Sequence, residues 1–263
     1  MRLTIAGPGR AGGSIALAAA RSGHEIVGVL SRSELSPYGP TLSWDEPLPE
    51  CDLLLIAVRD DAIEEVSGRL SRNARTVPVA AHMSGFTPVA ALDELARKGI
   101  ATGGFHPLQT LPDPERGAAA LAGAFVGIGG GPPAMATLAE LATSLDMNPF
   151  PLADESRPAY HAGAAAAANF VITALATAGD LMISARIDPL VTRPLVEQAV
   201  ANLYEIVGES PLTGPIARGD IATVIGQLEA ARRTSDSVGE QYRLMAEATA
   251  IHAGRKDDIE LWR

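Results

Sequence analysis

The chain lacks most of the features that would assign it to other broad classes of protein. Its 263 residues include one cysteine, Cys51. That excludes an intrachain disulfide, a CxxC redox pair and a cysteine-based zinc site, and no metal is expected. It has two lysines, Lys98 and Lys256, and a formal charge of -10. Phosphate backbones need a basic face, so no nucleic-acid partner is expected, although a local basic pocket stays compatible with that total. No apolar run is read as long enough to span a bilayer, so no membrane partner is expected either. Arg2, an apolar stretch and Ala18-Ala19-Ala20 imitate a secretory leader. Gly7, Pro8, Gly9 and Arg10 interrupt that run and have a better explanation below, so a cytoplasmic protein is expected. The length suits one large domain or two moderate ones.

The strongest signal stands at the start. Leu3-Thr4-Ile5-Ala6 reads as a short apolar strand that enters Gly7-Pro8-Gly9-Arg10-Ala11-Gly12, a G-x-G-x-x-G pattern, and then a helix from Ser14 to Arg21. In that setting Gly7 permits a tight turn, Gly9 lets the backbone approach a pyrophosphate, and Gly12 lets helix and strand pack closely. The phosphates would sit on the free N–H groups of the helix N-terminus. A second strand, Glu25 to Leu30, completes a βαβ unit and ends at Ser31-Arg32-Ser33, where an NAD site usually carries a carboxylate. One guanidinium and two hydroxyls suit a 2′-phosphate, so NADP is expected over NAD. Glu34, one residue further on, could blunt that preference, and the bland alternative makes Arg32 an ordinary solvated arginine.

Strand-like and helical segments alternate as far as Leu152. Leu53 to Val58 is a continuous apolar run, as expected of a strand buried on both faces. A helix follows from about Ala62 to Leu70, then a strand over Thr76 to Ala81 and a helix over Thr87 to Arg97. Extended segments are expected at Ile100 to Phe105, Phe125 to Ile128 and Asn148 to Leu152, with a helix over Pro133 to Leu145. This alternation implies a doubly wound parallel sheet. From Asp154 the chain reads as helical. Ser156 to Ile183 is Ala-rich and apolar on most sides, and so should be buried on most sides. Further helices are expected over Leu190 to Val207, Ile216 or Asp220 to Arg232, and Asp236 to Ala253. The predicted architecture is a Rossmann domain over 1–153 and an all-α domain over 154–263, an arrangement that resembles the 6-phosphogluconate-dehydrogenase C-terminal type. A small helical domain with so apolar a helix would complete its core against a second copy, which predicts a homodimer.

Ligands of open α/β sheets lie beyond the carboxyl ends of the strands. The residues there are Gly7 to Gly12, Ser31 to Ser33, Val58-Arg59-Asp60, His82-Met83-Ser84-Gly85 and His106-Pro107-Leu108-Gln109-Thr110. Val58, Arg59 and Asp60 are assigned to the cofactor with the glycine loop, and His82 to substrate. His161 opens the long helix, and Asn169 follows eight residues on among small neighbours, either lining a groove or satisfied in a packed interface. Thr213-Gly214-Pro215 would begin a helix whose free N–H groups, with Arg218, could take a substrate carboxylate. The same segment also reads as a capped interhelical turn with Asp220 as its N-cap.

These motifs together, with Tyr160-His161-Ala162, Asn169-Phe170 and Leu212-Thr213-Gly214-Pro215-Ile216-Ala217-Arg218-Gly219-Asp220, resemble the Rossmann-like family called domain of unknown function 2520. It is related to pyrroline-5-carboxylate reductases, ketopantoate reductases and prephenate dehydrogenases, which pair an NAD(P)-binding domain with a helical, dimerising one. His106-Pro107 also resembles the His-Pro of prephenate dehydrogenases. In this resemblance Gln227 stands where a histidine is frequent, and Arg157 where a lysine is. The resemblance implies an NADP-linked reductase. Neither lysine lies on the helix entering the second domain, where hydroxyacid-type and ketopantoate-type enzymes place a catalytic one. His106 or His161 would therefore be the acid for a carbonyl, whereas an already protonated imine asks less and Ser84 or Thr213 would suffice. The expected activity is hydride transfer between NADP and a small carboxylate-bearing carbonyl or imine, with His106, His161, Asn169 and Ser84 at the reacting centre. The alternatives are a nucleotide-binding sensor without turnover, and a prephenate-type dehydrogenase, whose two substrate carboxylates call for more arginines. A deazaflavin hydride partner also stays open.

Overall fold

Successive residues of a buried strand face opposite sides of its sheet. In Leu53–Ile56, Leu53 and Leu55 enter one apolar cluster and Leu54 and Ile56 another. That alternation places a core on each face of one sheet. The computed structural model describes residues 1–33, 35–74, 76–206 and 210–262. Glu34 and Val207, invoked above, lie outside the described residues.

The chain divides into two units, Met1–Ala165 and Ala166–Arg263. The first runs β1 (Arg2–Ala6), α1 (Arg10–Arg21), β2 (Glu25–Leu30), β3 (Thr41–Leu42), β4 (Leu53–Ile56), α2 (Ile63–Leu70), β5 (Val79–His82), α3 (Asp93–Ala96), β6 (Ala101–Pro107), α4 (Pro114–Ala120), β7 (Phe125–Gly130), α5 (Pro132–Ser144), β8 (Asn148–Pro151) and α6 (Arg157–Ala165). The eight strands form one sheet in the order β3-β2-β1-β4-β5-β6-β7-β8. Every pairing is parallel except β6 with β7, which is antiparallel. Leu3, Ile5, Leu53, Leu55 and Phe105 meet Ile15 of α1 and Leu138 of α5 on one face. Leu30, Leu54 and Ile56 meet Ile63, Leu70 and Leu92 on the other, with Cys51 buried beside them. The doubly wound Rossmann expectation holds. The helix expected over Thr87–Arg97 is instead a 3₁₀ turn, Val89–Leu92, followed by the four-residue α3.

The second unit opens with a single π turn, Ala166–Phe170, and continues through α7 (Val171–Ser184), α8 (Arg193–Glu205), α9 (Pro215–Arg218), α10 (Ile221–Thr234), α11 (Asp236–His252) and α12 (Ile259–Trp262). Its core is Val224, Leu228, Ala250, Ile259 and Trp262. Thr177 of α7 is buried and its hydroxyl donates to Gln241 Oε1 at 2.8 Å. The C-terminal part is thus all-α, although the division falls at Ala165 rather than at 153. Composition changes at Asp154, but Arg157 ties α6 to the sheet of the first unit.

Two expectations about the long helix are corrected. It is not buried on most sides: Phe170 is 68% exposed, Ile172 60% and Ile183 64%. Within its unit α7 packs on α10 and α11, which cover only part of so broad an apolar surface. Among the described residues the helical run Asp154–Ser184 is also long and apolar enough, by length and composition, to cross a membrane. Alanine, which dilutes an apolar run to the eye, carries it over that threshold. The core helix of a soluble protein passes the same test.

The glycine loop has the predicted form. Gly7 adopts φ +94, outside the range open to most side chains. A Cβ on Gly12 would lie 2.2 Å from the Gly7 carbonyl oxygen, whereas one on Gly9 would meet nothing within 4 Å. Gly12→Ala is therefore expected to cost about 1–3 kcal/mol in urea unfolding, because backbone cannot yield as a side chain can. Gly9→Ala should leave the unfolding midpoint unchanged.

Candidate functional site

Two neighbouring regions at the carboxyl edge of the first unit carry the expected residues. The first begins where Gly9 caps α1 with no side-chain hydrogen bond and no acidic residue in the first turn. The first-turn N–H groups of Arg10, Ala11 and Gly12 are thus free of a capping side chain, and Pro8 holds the turn between the two outer glycines. An open backbone at Gly9 and an uncapped dipole end fit a dinucleotide pyrophosphate. At the tip of β2 the Ser33 N–H donates to Ser31 Oγ at 3.0 Å, and Arg32 is exposed. Val58 ends the run after β4. Arg59 pairs with Asp61 through both Nε and Nη2.

The second region is built by three consecutive tips. Asp60 accepts a 2.8 Å bond from Ser84 Oγ, which itself accepts from the N–H groups of Phe86 (3.1 Å) and Thr87 (2.9 Å). That hydroxyl is fully engaged in shaping the turn after β5. His82, expected to meet substrate, is wholly buried in the structure. Its Nδ1 accepts from Ser84 N–H at 3.2 Å, which places the ring proton on Nε2.

On β6, Gly104 and His106 are two residues apart and so share a face. Arg157 fills the space over Gly104: a Cβ there would lie 2.3 Å from its Nη2. Its guanidinium is wholly buried, with Nε donating to Asp154 Oδ1 at 2.6 Å and Nη1 to the Ser84 carbonyl at 3.1 Å, while Nη2 has no hydrogen-bond partner. Asp154 also holds Val89 N–H at 2.8 Å. Tyr160 and His161 follow Arg157 at i+3 and i+4, so one face of α6 carries all three. Tyr160 OH lies 2.7 Å from His106 Nδ1. The His106 and His161 rings stand edge to face with centroids 6.0 Å apart. Gly85 makes that pairing possible, since a Cβ there would be 2.8 Å from His106 Nε2 and 2.9 Å from His161 Cδ2.

The electrostatics follow from burial. His106 is pushed down to about 4 by burial, then by His161 and Arg157, with Asp60 opposing. His82 is likewise pushed down to about 4 by burial and then Arg157, against Asp154 and Asp60. Burial pushes Tyr160 up to about 12, with Arg157 opposing. At neutral pH the site therefore presents a neutral imidazole joined to a protonated phenol.

The structure brings together Ser84, Asp60, His106 and His161 in the first unit. Asn169 lies in the π turn of the second unit and is exposed. Thr213 and Gly214 precede the four-residue α9, Arg218 is exposed at its end, and Asp220 caps α10 by accepting from Thr223 N–H at 3.2 Å. That segment takes the capped-turn form, and a helix so short offers no substantial dipole. Arg157, Tyr160 and Gly85 were quoted in motifs without a role in the site. Their i, i+3, i+4 spacing and the glycine after a strand tip were the available signals. Among the described residues no group of His, Cys, Asp and Glu is arranged to hold a metal.

Residues 1–107 match a Rossmann-like domain and residues 124–249 match the Domain of unknown function (DUF2520). No match was found among curated proteins. Among solved structures, a proposed NADP oxidoreductase from Bacteroides fragilis superposes with a TM-score of 0.81 at 21% identity, over 95% of this chain and 97% of that one. An imine reductase from Streptomyces aurantiacus gives 0.68 at 14% identity, over 100% of both chains. A Plasmodium falciparum pyrroline carboxylate reductase with NADP bound gives 0.64 at 11%, over 94% and 98%. At these identities the likeness establishes the fold.

His82 and His106 are expected to stay neutral to about pH 4 when followed by imidazole NMR resonances. A midpoint near 6.5 for His106 would contradict the environment described. The unfolded chain takes up protons near 6.5 that the folded chain refuses. Each of these histidines therefore lowers stability by up to about 1.4 kcal/mol per pH unit as pH falls from 6.5 towards 4, and has no such effect above that window.

Proposed function

For a chain that carries a Rossmann-like domain followed by the Domain of unknown function (DUF2520), we propose an NADP-dependent oxidoreductase acting on a small carbonyl or imine, with imines the better match. The observation that carries this reading is the paired ring system His106–Tyr160 at the same carboxyl edge of the sheet as the open glycine loop. The names of the solved structures of the same fold, among them imine and pyrroline carboxylate reductases, support it.

The residues divide the work by their chemistry. Gly7 to Gly12 hold the pyrophosphate, and Ser31, Arg32 and Ser33 take the 2′-phosphate. When bound, the nicotinamide supplies or accepts the hydride. With Tyr160 donating to Nδ1, His106 carries its proton on Nε2 and offers it as a neutral hydrogen-bond donor. Such a donor orients a substrate but surrenders a proton reluctantly, since a catalytic acid works best with a pKa near the operating pH. An iminium arrives already protonated and becomes a neutral amine on hydride addition, so it asks for orientation alone. A carbonyl asks for an acid, and His161 is the second imidazole at hand. Ser84 acts by holding Asp60 and the turn beneath the rings. Asn169, Thr213, Gly214 and Arg218 are proposed to bind substrate.

We further propose a homodimer through the second unit. Leu190, Leu195 and Leu203 around α8 are 74%, 71% and 57% exposed, as Phe170, Ile172 and Ile183 are along the long helix. An apolar patch of this kind marks an interaction site.

Two measurements test these proposals. With NADPH and a panel of cyclic imines and keto acids, His106→Ala should lower kcat by roughly 100-fold while NADPH binding stays within about twofold. Binding without turnover of any substrate would instead indicate a nucleotide sensor. In light scattering the native chain should run at twice the 27.2 kDa of one chain, and Leu195→Asp should shift it to the monomer. A native monomer would reject the dimer.

A further inference from the structure

A cavity of about 390 Å³ opens beyond the tip of β2, lined among others by Ser31, Arg32, Ser33, Trp44, Asp45 and Arg69. Three segments distant in sequence build it. Trp44, just past β3, donates Nε1–H to the Ser31 carbonyl at 3.0 Å, which ties its loop to the β2 tip. Asn73 Nδ2 donates to the Trp44 carbonyl at 3.2 Å from the far side. Arg69, near the end of α2, lays its guanidinium over the indole with Cζ 5.5 Å from the ring centroid. Asp45 grips one edge of that guanidinium, accepting from Nη2 at 2.9 Å with both oxygens and from Nε at 3.2 Å. Among the described residues no hydrogen bond engages Arg69 Nη1.

We propose that Arg69 is a second cofactor-specificity residue, which closes a 2′-phosphate pocket opposite Arg32 with Trp44 as its wall. The inference rests on the NADP reading above and deepens it. Stacking on an aromatic face and clamping on one edge fix a guanidinium in place while leaving its other N–H groups to donate. An exposed ion pair such as Arg69–Asp45 adds little to stability, so folding alone does not account for ordering both side chains there. A phosphate monoester does account for it. Arg32 and Arg69 bring two positive charges to the cavity and Asp45 offsets one, leaving the excess that a phosphate needs.

The test compares NADPH, NADH, adenosine 2′,5′-bisphosphate and 5′-AMP by calorimetric titration of the native chain, Arg69→Met, Arg69→Lys and Arg32→Ala. Arg69→Met keeps the apolar stem over Trp44, and thermal unfolding checks that it folds. It should weaken NADPH and the bisphosphate by roughly 10- to 100-fold, the range for one hydrogen bond between charged groups, and leave NADH and AMP within about twofold. Arg69→Lys should recover part of the loss. An unchanged NADPH affinity in Arg69→Met alongside a collapse in Arg32→Ala would overturn the role of Arg69 alone. Equal weakening of NADPH and NADH would overturn it too, as a structural effect. A native chain that binds neither dinucleotide overturns the cofactor reading and this inference with it.

Discussion

The first unit depends on a cation held out of water. The Arg157 guanidinium is wholly buried, and a charge in that position is costly unless it is paired and hydrogen-bonded. Asp154 meets one and the carbonyl of Ser84 another. Those two bonds fasten the start of α6 to the turn after β5, and Asp154 extends the fastening to Val89. The helix that carries the Tyr160 and His161 rings is thereby joined to the turn after β5. Removing Asp154 would leave the Arg157 charge buried without its counter-ion, which is why such pairs are costly to break even when they add little stability as a whole.

The same charge decides the protonation of its surroundings. Burial is the larger influence on His82 and His106, and Arg157 acts in the same direction on both. Tyr160 stays a phenol for the first of those reasons, although Arg157 pulls it the other way. A neutral imidazole joined to a protonated phenol is thus a product of packing, with Arg157 acting on both. Under the function proposed above, turnover rests on orientation and on charge already present in the substrate, and the helix entering the second unit carries no lysine.

Much of this was legible in the residues, for physical reasons that differ by element. The βαβ unit could be read because each of its glycines answers a local demand, a positive φ at Gly7 and a close approach at Gly12. His106 and His161 could be named because strand tips and a helix entry are places that topology leaves open. Burial of the long helix was misjudged, since periodicity reports an apolar surface without reporting what covers it. The helix expected from Thr87 is shortened because the Thr87 N–H is held by Ser84 Oγ, which keeps the start of that segment in the loop after β5. The Tyr160–His106 bond spans 54 residues and has no local signature. Arg157 was hidden for the same reason: an arginine is read as solvated until the glycines that admit it are seen around it.

Those glycines constrain how the protein can change over time. Gly104 and Gly129, from the antiparallel pair β6 and β7, leave the volume that the Arg157 guanidinium fills. While the arginine is present, an alanine at Gly104 collides with it; once the arginine is gone, the same alanine fills a void. The order of substitution at 157 and 104 therefore decides which pairs are reachable, whereas Gly129 is also held by the Leu152 carbonyl oxygen, 2.6 Å from where its Cβ would stand.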